Sequence, residues 1–365
     1  MKKTYTLTLT QACNLSCIYC YEHGKTSKAM SLDTGKSIIR HAFNDADPED
    51  SIVIDFFGGE PFLEFELMKQ LVQFAEELYQ LMHGEFEYLF FATTNGTLVH
   101  GEVKEWLKNH PNVVLGLSLD GTKEMHDINR CNSFDSIDYE FFVSLYPLQH
   151  VKMTISQRTL DYLAEGVIFL HSKGFKVSCN LAYGIDWSDM KFATALNTQL
   201  DRLIEYYLDN PEQEPAMILR REISAAGKYK KSTYIPKWCG VGTAMHTFDV
   251  DGTVYPCQFF MPVSIGEKLN IAKDIVFSEE IDVMKLDKKC QECIVCQICP
   301  TCYGSNFLDS GNIYHKSDDQ CRMERIIFRA NAMFAIRKWD RGLLNSFEEE
   351  VYWTLKGAKM IINSF

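Results

Sequence analysis

Three cysteines near the N-terminus have a residue type and a spacing that suit iron–sulfur chemistry. Cys13, Cys17 and Cys20 are separated by three and two residues, so one short loop carries three thiols. Three thiolates can bind three irons of a cubane [4Fe–4S] cluster and leave the fourth iron without a protein ligand. A closed four-cysteine cluster carries electrons, whereas an open iron can bind and reduce a small molecule. The spacing favours an open cluster over a zinc site, for which only His23 lies close enough to be the fourth ligand.

A second group of cysteines lies in the C-terminal third of the chain. Of the 13 cysteines, five recur at every third position between 290 and 302. The members of the second group are Cys239, Cys257, Cys290, Cys293, Cys296, Cys299, Cys302 and Cys321. Dense, regularly spaced cysteines in a reducing compartment indicate metal ligands rather than disulfides. Eight thiols suffice for two closed [4Fe–4S] clusters, and a pair of zinc ribbons is the alternative because CxxC pairs also suit zinc.

Composition places the chain among ordinary globular proteins and limits its partners. Its 365 residues are 46% hydrophobic and 24% charged, enough for one large and one smaller domain. We expect a cytoplasmic protein, because no signal-peptide pattern and no membrane-spanning apolar run occur. The net charge of −12 and the lack of a basic stripe argue against nucleic acid as a partner.

Alternating strand and helix patterns between residues 4 and 183 predict an α/β fold. The predicted strands are Tyr5–Thr10, Ile52–Phe57, Tyr88–Thr94, Val113–Leu119, Val151–Ser156 and Phe175–Ala182. Ser31 is the predicted N-cap of the first helix, and Gly174 ends the helix before the last strand. Six such units indicate a partial (β/α)6 parallel barrel whose active site is built at the C-terminal rim, where the polar motifs fall.

The same patterns predict four regions along the chain. The partial barrel occupies residues 1–210 and is followed by a linker at 211–235. A small cysteine-rich domain occupies 236–325, and a helical tail occupies 326–365. We found no internal repeat that would suggest another arrangement.

The N-terminal motifs resemble those of the radical SAM superfamily. The loop matches CxxxCx(aromatic)C with Tyr19 as the aromatic residue, and Gly58-Gly59-Glu60-Pro61 resembles the GGE motif of the family. The resemblance implies that the cluster binds S-adenosyl-L-methionine (SAM) and cleaves it reductively to methionine and a 5′-deoxyadenosyl radical. It also implies a set of SAM contacts, namely Tyr19, Gly58, Gly59, Glu60, Thr94, Ser118, Asp120, Arg130 and Leu181.

The later cysteines resemble the SPASM extension of radical SAM enzymes that modify peptides and proteins. Cys239, Gly252 and Cys257 match its opening, Cx12Gx4C. The resemblance assigns Cys239, Cys257 and Cys302 to a first auxiliary cluster. It assigns a second auxiliary cluster to Cys290, Cys293, Cys299 and Cys321. Two departures are the shortened spacing before Cys302 and the extra Cys296, which is either a fourth ligand of the first cluster or a free thiol.

The family resemblance implies a radical SAM oxidoreductase that acts on a ribosomally made peptide. Two products compete: a Cys thioether crosslink, and formylglycine made from Cys or Ser as in anaerobic sulfatase-maturating enzymes. The resemblance implies that sulfatase-maturating enzymes have a Cx5C pattern at the first auxiliary site. In this chain the position of the second cysteine is Met245, so the thioether is favoured. A first cluster with three ligands could bind a substrate thiolate at its open iron.

Two other classes of function remain as alternatives. A non-catalytic iron–sulfur electron carrier would need neither the open cysteine loop nor Gly58-Gly59-Glu60-Pro61. A tRNA-modifying enzyme of the same superfamily is disfavoured by the acidic charge. The sequence assigns no acid or base to the reaction.

The predicted partners are a precursor peptide and a reductant such as flavodoxin or ferredoxin, with no membrane partner. The chain begins directly at the predicted barrel, and its helical tail is too short for the winged domain that grips a leader peptide in many maturases. We therefore expect either a separate leader-binding protein or leader binding by the barrel and tail.

Overall fold

A computed structural model describes residues 1–228, 232–266, 275–344 and 348–365 of the chain. The strands are β1 (Lys2–Thr10), β2 (Ser51–Gly58), β3 (Glu87–Thr94), β4 (Val113–Leu117), β5 (His150–Ile155), β6 (Lys176–Leu181), β7 (Tyr234–Pro236), β8 (Met245–Phe248), β9 (Val254–Tyr255) and β10 (Glu280–Asp282). The helices of the N-terminal half are α1 (Leu32–Asn44), α2 (Phe65–Leu81), α3 (Gly101–Asn109), α4 (Lys123–Asn129), α5 (Tyr139–Leu145) and α6 (Leu163–Ser172). The later helices are α7 (Met190–Asp209), α8 (Ser224–Gly227), α9 (Pro262–Ile265), α10 (Lys288–Gln291), α11 (Tyr303–Ser310), α12 (Asp318–Asp340) and α13 (Glu349–Ser364).

The chain divides into two compact units, and each is assembled from separate segments. The first unit contains Met1–Leu119, Arg130–Val151 and Cys239–Ser278. The second contains Asp120–Asn129, Lys152–Trp238 and Glu279–Phe365. Parts of the predicted linker (229–231), cysteine-rich domain (267–274) and tail (345–347) lie outside the described residues. The four regions drawn from the sequence stay a prediction.

The first unit is built on one sheet with the strand order β4-β3-β2-β1-β8-β9. Its neighbours are parallel from β4 through β8, and only β9 runs antiparallel to its partner. The central strands are buried on both faces, as expected of a parallel sheet, and on β1 this includes Thr6, Thr8 and Thr10, each 1% exposed. Leu7, Ile54, Phe56 and Phe90 are fully buried, and the rings of the last two stack at 5.5 Å. The predicted α/β fold with parallel strands is confirmed.

The position of β8 was not evident from the sequence. β8 lies within the predicted cysteine-rich domain, yet it pairs in parallel with β1, with Thr4 opposite Met245 and Leu7 opposite Phe248. An uncovered edge of β1 would expose a row of unpaired backbone groups. β8 covers that edge, so the strand before the cysteine loop is held on both sides.

The six strands of the predicted barrel are all present, but they do not share one sheet. β5 and β6 pair with each other in a separate two-stranded sheet. The backbone N–H of Thr154 on β5 donates to Asp120 Oδ1 at 2.8 Å, and its carbonyl accepts from Asn129 Nδ2 at 3.0 Å. These two side chains satisfy the backbone of β5 where a neighbouring strand would otherwise bind. No barrel closure is found among the described residues.

Local signals predicted two helix ends correctly. The Ser31 hydroxyl accepts a hydrogen bond from Thr34 N at 3.1 Å and caps α1, as predicted. Gly174 follows α6 with a φ of 88°, the left-handed conformation expected of a residue that ends a helix.

The helices of the second unit enclose an apolar core beside the cysteine run. Phe328 of α12 and Ile361 of α13 are fully buried in it, together with Val295 from between the cysteines. Cys293 and Cys299 pack against the same core. The helical tail is therefore part of the support for the later cysteines. Among the described residues, no helix combines the length and apolar character needed to cross a bilayer.

Candidate functional site

The three N-terminal cysteines lie on the loop between β1 and α1. Cys13, Cys17 and Cys20 are free thiols, each partly exposed. The loop turns tightly, because Cys20 N donates to the Cys17 carbonyl at 3.1 Å. Burial raises the pKa of the Cys13 thiol, while the Leu15 N–H and the Lys25 ammonium oppose that rise. The predicted ligands are thus presented together beyond the carboxyl end of β1.

Within the described ranges, no three His, Cys, Asp or Glu side chains converge as the ligands of one metal ion would. A four-iron cluster places a different demand on its ligands, because each thiolate binds a separate iron. Three thiols on one loop match that donor set, so the loop fits an open [4Fe–4S] cluster.

The Gly58-Gly59-Glu60 segment fixes the cysteine loop to the end of β2. Gly59 N donates to the Thr10 carbonyl at 3.1 Å, and Glu60 N donates to the Ala12 carbonyl at 2.9 Å. A Cβ added to Gly59 would lie 2.3 Å from the Ala12 carbonyl oxygen and 2.8 Å from Cys13 Cβ. The absence of a side chain at Gly59 thus permits a close backbone approach to the cysteine loop.

The Glu60 carboxylate joins the ends of β2 and β3. It is only 1% exposed, and Oε1 accepts from Thr94 Oγ1 at 2.8 Å while Oε2 accepts from Asn95 N at 2.8 Å. Phe62 N donates a third hydrogen bond of 3.2 Å to Oε1. Burial raises the pKa of Glu60 to about 7, against the lowering effect of these donors and of Arg130. A carboxylate offers roughly four acceptor positions, so one remains for a ligand ammonium group.

The segment after β3 also holds the cysteine loop, through three residues that were not among the predicted SAM contacts: Asn14, Asn95 and Thr97. Asn95 Nδ2 donates to Asn14 Oδ1 at 2.9 Å, and Asn14 Nδ2 donates to Thr97 Oγ1 at 2.8 Å. The Thr94 hydroxyl is engaged too, because it donates to Glu60 and accepts from Gly96 N at 3.0 Å. An Asn directly after the first cysteine was the available signal for this contact.

Arg130 brings a positive charge to the same loop. Its Nη1 atom lies 4.0 Å from Cys17 Sγ, and its Cζ atom lies 5.4 Å from the centre of the Tyr19 ring. The side chain is 8% exposed, as is Ser118, whose backbone N–H donates to the Thr94 carbonyl at 2.9 Å. The guanidinium can therefore offset negative charge on the thiolates and on an anionic ligand.

The first unit thus gathers most of the predicted SAM contacts, which are Tyr19, Gly58, Gly59, Glu60, Thr94, Ser118 and Arg130. Asp120 and Leu181 belong to the second unit. Asp120 is fully buried, and its carboxylate binds Thr154 N and Asn129 Nδ2, at 2.8 and 3.1 Å. Its observed contacts are therefore structural. Leu181 is half-buried at the end of β6. All nine assignments as SAM contacts stay predictions.

Five of the later cysteines line one cavity in the second unit. The cavity measures about 780 Å³, including space open to solvent, and its thiols are Cys290, Cys293, Cys296, Cys299 and Cys321. Burial raises the pKa of Cys290 to about 11 and that of Cys296 to about 12, and neighbouring thiols add to both shifts. The four cysteines assigned to the second auxiliary cluster thus share a space with a fifth thiol. The thiol-rich lining fits an iron–sulfur cluster.

The remaining cysteines of the second group are more accessible. Cys302 is exposed at the N-terminal end of α11, where its sulfur accepts from Ser305 N at 3.4 Å. Cys239 is exposed and Cys257 is half-buried, and both belong to the first unit. The grouping of these three cysteines into a first auxiliary cluster stays a prediction.

Comparisons with known proteins identify the family and the fold of the chain. Residues 7–197 match the family model of the Radical SAM superfamily. An uncharacterized protein of Methanocaldococcus jannaschii is 30% identical over 177 residues, which are 47% of this chain and 59% of that protein. A cysteine-type anaerobic sulfatase-maturating enzyme of Clostridium novyi is 25% identical over 295 residues, covering 73% of this chain and 75% of the enzyme. Native anSMEcpe with bound AdoMet and the Cp18Cys peptide shares the fold, with a TM-score of 0.69 at 18% identity over 94% of this chain and 99% of that chain.

Proposed function

Because the chain belongs to the radical SAM superfamily, we propose that it is a peptide maturase that forms a thioether within a cysteine-containing precursor. The thioether would join the sulfur of a peptide cysteine to a carbon of the same peptide. The proposed cofactors are SAM, the cluster on the Cys13–Cys20 loop and two auxiliary [4Fe–4S] clusters.

The observation that carries this proposal is the residue at position 245. Cys239 is followed six positions later by Met245. The family resemblance implies that sulfatase-maturating enzymes have a second cysteine at this position. Met245 is half-buried on β8, and a neutral thioether is a weaker iron ligand than a thiolate. The ligand set that begins with Cys239 and Cys257 therefore has one thiolate fewer than the corresponding set of the sulfatase-maturating group. Because Cys239 is exposed, a peptide sulfur could approach the vacant iron position.

The overall reaction removes two hydrogens from the peptide. A carbon loses a hydrogen atom, the cysteine thiol loses a proton, one further electron leaves, and a carbon–sulfur bond forms. When bound, SAM and the clusters supply the hydrogen-atom acceptor and the electron acceptor for this oxidation. Two-electron oxidation of the peptide balances the loss of both hydrogens.

The side chains around the loop are proposed to bind and orient SAM. Glu60 holds the ends of β2 and β3 together, and its remaining acceptor position is suited to the ammonium group of SAM. Arg130 is suited to the SAM carboxylate, since it is a buried cation that lies beside the loop. Thr94 and Ser118 are proposed near the ribose or the carboxylate, and Tyr19 near the adenine.

Conversion of Cys or Ser to formylglycine is the second candidate function. The similarity to the Clostridium novyi sulfatase-maturating enzyme, which extends over most of both chains, favours it. The two products differ in the fate of the cysteine sulfur. The thioether retains this sulfur, whereas formylglycine made from cysteine has lost it. A precursor peptide, a flavodoxin- or ferredoxin-type reductant, a separate leader-binding protein and a cytoplasmic location also remain proposals.

Tandem mass spectrometry of a cysteine-containing peptide encoded beside this chain, and co-expressed with it without oxygen, tests the proposal. Loss of two hydrogens, with fragmentation suppressed between the cysteine and a second residue, is the expected result. An aldehyde in place of the thiol would instead establish the formylglycine reaction.

Two cysteine variants provide the controls for that experiment. Replacing Cys13, Cys17 and Cys20 together by Ala should leave the peptide unmodified. Cys179→Ala alters a buried thiol on β6 that belongs to neither predicted cysteine group, and it should leave the modification unchanged. A modified peptide from the triple variant would contradict the proposed role of the loop.

A further inference from the structure

A buried lysine contacts one of the cluster cysteines in the second unit. Lys316 is 5% exposed, and its Nζ atom donates to Cys299 Sγ at 3.2 Å and to the Pro300 carbonyl at 2.7 Å. Lysine is among the residues least often buried without a partner. A buried ammonium that donates to this sulfur is therefore placed to compensate the negative charge that a cluster-ligating thiolate would carry.

Two further charges lie beside this contact, one buried and one partly exposed. Glu324 is 6% exposed, and its carboxylate accepts from Arg221 Nη2 at 3.3 Å. The Glu324 charge also acts on Lys316, so the group contains two cations and one anion before the thiols are counted. Buried charges are stable only when they are compensated. Of the two cations, Lys316 lines the cavity that holds Cys290, Cys293, Cys299 and Cys321, and its ammonium group lies against Cys299.

We propose that Lys316 is a redox-tuning residue of the auxiliary cluster in this cavity. The inference rests on the proposed auxiliary cluster and is independent of which peptide product is made. Each one-electron reduction adds a negative charge to a cluster that four thiolates have already made anionic. A fixed ammonium that donates a hydrogen bond to a ligand sulfur stabilises the reduced form and raises the reduction potential. Lys316 would thereby help the cluster accept the electron released when the product forms.

Lys289 offers a matched comparison. It lines the same cavity, but its ammonium pairs with the Asp318 carboxylate at 2.6 Å and its side chain is 30% exposed. Solvent and the carboxylate screen its charge. Removing the Lys289 charge should therefore have much less effect on the potential than removing the Lys316 charge.

The test is an anaerobic redox titration followed by electron paramagnetic resonance. Cys13, Cys17 and Cys20 are replaced by Ala in every sample, so that only auxiliary clusters contribute to the signal. Lys316→Met should shift the reduction equilibrium of one cluster at least tenfold toward the oxidised form, which is 59 mV for a one-electron couple. The potential of Lys289→Met should stay close to that of the parent protein. Lys316→Arg keeps the positive charge, so its potential should also lie close to the parent value.

A second variant keeps the test decisive if Lys316→Met fails to retain iron. Glu324→Gln removes a negative charge beside the same cavity and should shift the potential in the opposite direction. Unchanged potentials in both Lys316→Met and Glu324→Gln, at full iron content, would overturn the inference. Full iron content in a Cys290→Ser, Cys293→Ser double variant would also overturn it, by showing that no cluster lies in this cavity. Neither result would alter the mass spectrum that tests the peptide product.

Discussion

The backbone N–H of Glu60 donates a 2.9 Å hydrogen bond to the carbonyl of Ala12, the residue directly before Cys13. This bond joins the motif after β2 to the loop after β1. The family motif therefore has a structural role before any ligand is bound, because it fixes the backbone that presents the thiols. The side chain of the same glutamate then ties both segments to the end of β3.

Gly59→Ala should disturb the cluster loop. The added Cβ would lie 2.3 Å from the Ala12 carbonyl oxygen and 2.8 Å from Cys13 Cβ, so the loop must move. We expect a destabilisation of about 1–3 kcal/mol, typical of overpacking, and a lower iron content after reconstitution. Gly24→Ala is the control, because a Cβ there meets Val263 at an ordinary 3.5 Å. Equal iron content in both variants would refute the proposed role of Gly59.

Glu60→Gln should weaken the hydrogen bonds that join the ends of β2 and β3, and so lower the free energy of unfolding. The amide group replaces an acceptor oxygen with a donor, so one of the N–H or O–H groups supplied by Phe62, Thr94 and Asn95 would face another donor. An unsatisfied buried donor costs about 1–3 kcal/mol, measurable as a lower free energy of unfolding in anaerobic urea denaturation. The exposed Glu85→Gln variant should change by no more than about 0.5 kcal/mol. Equal unfolding free energies for the two variants would rule out this account.

Arg130→Leu should reduce affinity for SAM. The guanidinium is the buried cation beside Cys17 and Tyr19, and the proposed carboxylate contact is charge-assisted. Loss of such a bond costs about 1.5–3 kcal/mol, which corresponds to roughly a 10- to 100-fold higher Kd. Equilibrium dialysis of the reconstituted protein measures it, with the exposed Arg158→Leu as a control. Unchanged affinity at equal iron content would exclude Arg130 as a SAM contact.

His171 should make the stability of the second unit depend on pH. Its ring nitrogens bind the Phe175 carbonyl at 3.0 Å and the Tyr207 hydroxyl at 2.8 Å, and burial lowers its pKa below the ordinary 6.5. The unfolded chain therefore binds a proton more readily than the folded chain, so stability decreases as the pH falls below about 6.5. His171→Gln should flatten this dependence between roughly pH 7 and pH 5 in urea denaturation.

The exposed His83→Asn variant serves as the control for the pH experiment. His83 has a φ of 50°, a conformation that asparagine tolerates, so the replacement is compatible with the fold. Its dependence of unfolding free energy on pH should match that of the unaltered protein. A His171→Gln profile as steep as the control would show that another group titrates.

The sequence predicted elements with local signals and missed relationships between distant segments. Ser31 could be recognised as a helix cap, because its partner Thr34 is three residues away. The pairing of β8 with β1 could not be predicted, because nothing near Met245 encodes which strand it joins. Backbone capping of β5 by Asp120 was likewise missed, since the residue was interpreted only as a ligand contact.

The candidate site shows the same division. Cysteine spacing predicted two groups of candidate cluster ligands, because the ligands of one cluster often lie close together in sequence at regular intervals. The hydrogen bonds that hold the loop, from Asn95 to Asn14 and from Thr94 to Glu60, join residues far apart in sequence. Lys316 carried no signal at all, because a lysine in a polar segment is ordinarily exposed.

We propose that the Cys13–Cys20 loop holds an open cluster at which SAM is cleaved. The most direct measurement is the amount of 5′-deoxyadenosine released per chain, with SAM, dithionite and the neighbouring cysteine peptide present under anaerobic conditions. The reconstituted protein should release it, and Cys17→Ala should release none while retaining the iron of the auxiliary clusters. Equal release from both proteins, or none from an unaltered protein with full iron content, would contradict the account.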